Sequence, residues 1–100
     1  MVPNELIKKI IDEQSQIIGV DLARSRALAT GAISYSSAQD VTLSEEPPIV
    51  LDKLINSYKE IFGQASVDVC VDVIRKFPFQ EISQYISPSI QGLVSAKKRK

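Results

Sequence analysis

Apolar residues recur at three- and four-residue steps from the start of this 100-residue chain, and no other sequence feature constrains its fold as strongly. Leu6, Ile7, Ile10, Ile11, Ile17 and Ile18 share one face, with Glu5, Lys8, Lys9, Asp12, Glu13 and Gln16 on the other, as in an amphipathic helix. Asn4 is a capping residue type at its start. A stripe through Ile7, Ile11, Gln14, Ile18, Leu22, Ser25 and Ala29 stays in line as far as Thr30, because its mean step is about 3.7 residues. We expect one long or kinked helix closed by Gly31. The alternative is a break at Gly19 with Asp21 capping a second helix, since mid-helix glycine costs about 1 kcal/mol relative to alanine.

At the helical rise, such a stripe is about 35 Å long, and a domain this small is expected to leave part of it uncovered. Ile7, Ile11, Gln14, Ile18 and Leu22 are therefore the expected partner-binding residues, in a twofold homodimer seam. Gln14 interrupts the isoleucines as a register-setting polar residue would.

Beyond Gly31 the pattern changes. Ile33-Ser34-Tyr35 and Val41-Thr42-Leu43 alternate apolar and polar around the turn-prone Ser36 to Asp40. Residues 32–43 thus form either a short β-hairpin or an extended surface loop, because a lone hairpin is marginal unless it packs on something. Residues 44–63 read as a helix. Pro47 and Pro48 suit its start, Glu45 and Glu46 suit its positive end, and Gly63 closes it. Leu51, Leu54, Ile55, Tyr58, Ile61 and Phe62 mark the expected buried face.

Residues 64–77 carry a conflict. Val67, Val69, Val71 and Val73 alternate with Asp68, Cys70 and Asp72 like a half-buried strand. As a helix, the same segment gathers Gln64, Asp68, Asp72, Arg75 and Lys76 opposite Ala65, Val69, Val73 and Phe77. The helix is preferred, helped by the Asp72 and Lys76 pair. Pro78 ends it, and Phe79, Ile82, Tyr85 and Ile86 suggest a short last helix before Ser87-Pro88. The expected architecture is mainly α: a small bundle of about four helices, with the hairpin as its only β element. Residues 1–96 form one domain, and residues 97–100 a basic, disordered tail.

Chemistry is narrowed by what the chain lacks. It contains no histidine and one cysteine, so the usual general base, the commonest metal ligand and thiolate metal sites are missing. Four glycines form no phosphate-binding pattern. Asp68 with Asp72, or Glu45 with Glu46, lacks the ligand-dense loop of a calcium site. Cys70 sits among valines and reads as inert core filler. We therefore expect no enzyme, no cofactor and no metal.

Lys97, Lys98, Arg99 and Lys100 hold four of the twelve basic residues, leaving eight against twelve acidic ones in residues 1–96, a net of −4. An acidic body does not suit a nucleic-acid or anionic-membrane surface. Leu51 to Phe62 and Ala65 to Phe77 flank a glycine turn like a helix-turn-helix, but Asp68 and Asp72 would face phosphates. The start lacks a signal-peptide pattern, no apolar run approaches a membrane span, and the lone cysteine suits a reducing, cytoplasmic setting.

The segment from Leu54 to Cys70, with Tyr58, Phe62, Gly63 and Ala65, resembles the helix-glycine-helix segments of small C-terminal modules attached to some bacterial signalling and regulatory proteins. The resemblance covers residues 54–77, about a quarter of the chain. It implies a helical regulatory or adaptor role and no activity. The resulting expectation is a non-catalytic adaptor that meets an unidentified protein partner on its helical faces and self-associates. The alternative is a nucleic-acid-associated accessory protein using the Lys97–Lys100 tail.

Overall fold

The N-terminal apolar stripe does not run through Gly19. In the computed structural model, which describes residues 3–37 and 40–98 (95–98 by backbone alone), α1 spans Pro3–Ile18 and α2 spans Val20–Leu28. Gly19 sits between them at φ 93° and ψ 148°, where residues bearing a Cβ are strained. This corrects the expectation of one long helix. The break lets α2 pack against α1, turning the small side chains of Ala23 and Ala27 into the core. No side chain caps α2, so Asp21 does not have that role. Asn4 donates from Nδ2 to the Val41 carbonyl at 2.8 Å, tying α1 to the strand that contains Val41.

That strand belongs to an antiparallel hairpin of β1 (Ile33–Tyr35) and β2 (Val41–Leu43), with Ile33 paired to Leu43 and Tyr35 to Val41. Period two places Ile33, Tyr35, Val41 and Leu43 on one face. Ile33 and Val41 are buried, while Ser34 and Thr42 on the other face are exposed. Arg24 of α2 stacks over the Tyr35 ring at 4.7 Å. Helical support of this kind is what a two-stranded hairpin needs.

The third and fourth helices, α3 (Pro47–Phe62) and α4 (Gln64–Arg75), are joined by Gly63 alone, at φ 68°. The prolines occupy the first turn of α3, where their missing amide hydrogens are harmless. Val50, Leu51, Leu54, Ile55, Ser57 and Tyr58 are buried. Ile61 and Phe62, expected inside, are exposed, because the chain reverses immediately after them. The 64–77 conflict resolves as a helix: Ser66, Val67, Cys70, Val71, Val73 and Ile74 form its buried face. That face is rotated from the expected one. Ala65 is exposed, and Val69 and Phe77 are only half-buried.

A short α5 (Phe79–Ile82) and a 3-10 turn (Ser83–Tyr85) precede a sixth helix, α6 (Pro88–Lys98). Ser87-Pro88 was the expected end of the last helix in a bundle of about four. Ser87 instead caps α6, its Oγ accepting from the Ile90 amide at 3.4 Å, and Pro88 is the first helical residue. Ile90 and Val94 pack into the core. The helix continues past residue 96 to Lys98, and Arg99 and Lys100 lie outside the described residues.

The accessible surface is 5531 Å². A folded chain of this mass is expected to show about 5,600 Å², so the packing is as close as the size of the chain predicts. Among the described residues, no helix is long and apolar enough to cross a membrane.

Candidate functional site

The break at Gly19 and the reversal at Gly63 bring the end of α1 beside the α3–α4 turn. The groove between them is lined by Gln14, Ile17, Ile18, Phe62, Ala65, Ser66 and Val69, with a volume of about 170 Å³. Its walls are apolar and none of these residues is charged. Ile17 is 63 % exposed and Phe62 40 %. Apolar side chains just before a helix-ending glycine can lie off the buried face, because the chain turns before a neighbour covers them.

Gln14 forms the polar part of this groove. It is 1 % exposed, and its Nε2 donates to the Ser66 carbonyl at 3.1 Å and to Cys70 Sγ at 3.5 Å. The carbonyl can only accept, which fixes the orientation of the Gln14 amide. Its Oε1 is enclosed, and no protein group donates to it.

Cys70 lies behind Gln14, fully buried. Burial pushes its thiol up to about 11, opposed only in part by the Gln14 hydrogen bond. A thiol so shifted is a poor nucleophile near neutrality. Tyr58 is raised by burial. Tyr35 is also raised by burial, against the nearby Arg24 charge. Among the described residues, no group of three or more histidine, cysteine, aspartate or glutamate side chains is placed to hold a metal ion.

The five residues expected to form a dimer seam are divided by the fold. Ile7, Ile11 and Gln14 are internal, covered by their own chain because α2 and α4 pack on α1. Ile7 and Ile11 are thus core residues rather than a partner surface, whereas Gln14 also lines the groove. Ile18 is half-buried at the groove, and Leu22 is 37 % exposed on α2. Of the electrostatic tail, Lys97 and Lys98 lie in the last turn of α6, and Arg99 and Lys100 fall outside the described residues. Ile17, Phe62, Ala65, Ser66 and Val69 were not singled out as site residues from sequence. The available signal was the pair of apolar dipeptides before glycine, Ile17-Ile18 before Gly19 and Ile61-Phe62 before Gly63.

A second groove, about 480 Å³ and wide open, runs between α3 and α6 with Ile55, Val67 and Ile90 as its floor and Lys53 and Lys59 at its edge. No protein-family model matches the chain, and no curated protein or solved structure was found to be similar to it.

Proposed function

We propose that the chain is a non-catalytic adaptor that binds a partner protein through the groove between α1 and the α3–α4 turn. The observation that carries this reading is the convergence of Ile17, Ile18, Phe62, Ala65 and Val69 on one uncharged depression, with Ile17 and Phe62 exposed at its rim. An exposed apolar cluster of this sort characterises contact surfaces rather than reaction centres. The upward shift of the Cys70 thiol, led by burial, supports the same reading because it suppresses the thiolate that a nucleophile would need. Self-association belongs to the same proposal as a concentration-dependent surface contact. The apolar side chains left for it on and near α2 are Ile17, Val20, Leu22 and Leu28.

Purification of the chain from its native cells, at native expression, tests the adaptor reading. A stoichiometric companion protein should be retained by the wild type and lost with Ile17→Asp, while circular dichroism and melting temperature stay unchanged. Retention of the same companion by Ile17→Asp contradicts it.

A further inference from the structure

We infer that the α1/α3–α4 groove seats a tryptophan side chain of the partner polypeptide, its indole N–H donating to Gln14 Oε1. The inference rests on the reading of this groove as the partner surface and names the group recognised there. Four observations converge on an indole. The Gln14 nitrogen is already committed to Ser66 and Cys70, whereas no protein group donates to its oxygen, so a ligand that meets this atom does so by donating a hydrogen bond. The walls are apolar and carry no charge, which disfavours an ammonium or guanidinium. Indole N–H is a donor only, while hydroxyl and amide groups also bring an acceptor that needs its own partner. The volume of about 170 Å³ compares with an engineered apolar cavity of about 150 Å³ that holds benzene, and suits one or two fused rings. Because Oε1 is enclosed, the inference requires side chains at the rim, where Ile17 and Phe62 are exposed, to move aside when the indole enters. A second copy cannot supply the group, because the chain contains no tryptophan.

Methyl and side-chain amide NMR of the full chain, titrated with N-acetyltryptophanamide, tests the inference, and ligand fluorescence reports the same binding against a tryptophan-free background. Saturable shifts should concentrate on Ile17, Ile18, Val69 and the Gln14 amide. Binding should weaken about fivefold or more when the ring nitrogen is methylated, and equally in Gln14→Met, since each removes one side of the same hydrogen bond. Ala65→Phe fills the groove from an exposed position, leaves Gln14 intact and should abolish binding. Absence of groove shifts overturns the inference, as does equal affinity for the methylated ligand or equally tight binding of N-acetyltyrosinamide. Binding of free indole but not of N-acetyltryptophanamide makes the site one for small molecules and also overturns it. Tryptophan binding combined with a companion protein retained by Ile17→Asp overturns the adaptor reading and, with it, the partner polypeptide as the source of the indole; loss of the companion without tryptophan binding overturns this inference alone.

Discussion

Tyr58 donates its hydroxyl to the Ala23 carbonyl at 2.8 Å, joining α3 to α2 inside the core. Neighbouring bonds reinforce the joint: Ser57 Oγ donates to the Arg26 carbonyl at 2.9 Å, and Arg26 Nη2 donates to the Ser57 carbonyl at 3.2 Å. The fold-back at Gly19 is thereby held from the α3 side. Tyr58→Phe keeps the ring and should lower stability by about 0.5–1.5 kcal/mol, whereas Tyr58→Ala should cost about 3–5 kcal/mol. Urea denaturation distinguishes them, and equal losses would mean that the hydroxyl, not the ring, dominates.

Gly19 and Gly92 should respond to alanine with opposite signs. Neither would meet a neighbouring atom with an added Cβ, so backbone conformation decides. Gly19 has φ 93°, and alanine there should destabilise by about 1–3 kcal/mol. Gly92 is inside α6 without a positive φ, and alanine should stabilise by about 0.5–1 kcal/mol. Thermal melts of both variants check the signs.

Alkaline destabilisation should carry a contribution from Cys70. Its thiol has an ordinary value of 9.0 and is raised to about 11 in the folded chain. The unfolded state therefore loses its proton first, and stability falls with rising pH. The contribution is whole below about pH 9 and lost on approaching pH 11, amounting to roughly 2–3 kcal/mol. Cys70→Val should remove this contribution, leaving the loss due to Tyr58, which sets in near its ordinary value of 10.0 because that hydroxyl is also raised in the folded chain. Native thiol labelling should be slow and become fast on unfolding.

Ile11 and Ile17, both on α1, should separate folding from binding. Ile11 is 1 % exposed, and Ile11→Ala should cost about 2–5 kcal/mol, with no effect on assembly beyond that of unfolding. Ile17→Ala should change stability by less than about 0.5 kcal/mol. Denaturation midpoints that moved equally would contradict this placement of the two side chains.

The buried face of α1 through Ile11 and the alternation of β1 and β2 were legible because each segment repeats its own period. The α3 face was legible up to Tyr58, and failed at Ile61 and Phe62 because periodicity does not record where a glycine turns the chain. In α4 the valines suggested period two, and the helical face emerges only when Ser66, Cys70 and Ile74 are counted with Val67, Val71 and Val73. The α6 helix was hidden because Ser87-Pro88 served as a stop in the reading although it is also a cap and first-turn pair. Gln14 was legible as the odd residue of the stripe, but its partner could not be read from α1: Ser66 is 52 positions away.

Site-specific photocrosslinking in the native cell tests the central claim most directly. A benzophenone side chain at position 62, on the groove rim, and another at position 49, exposed on α3 and 45 % accessible in the wild type, sample different parts of the surface. The account predicts a discrete protein adduct at position 62, absent at position 49 and lost when Ile17→Asp is added. A common adduct at both positions, or one at 62 that survives Ile17→Asp, would contradict it.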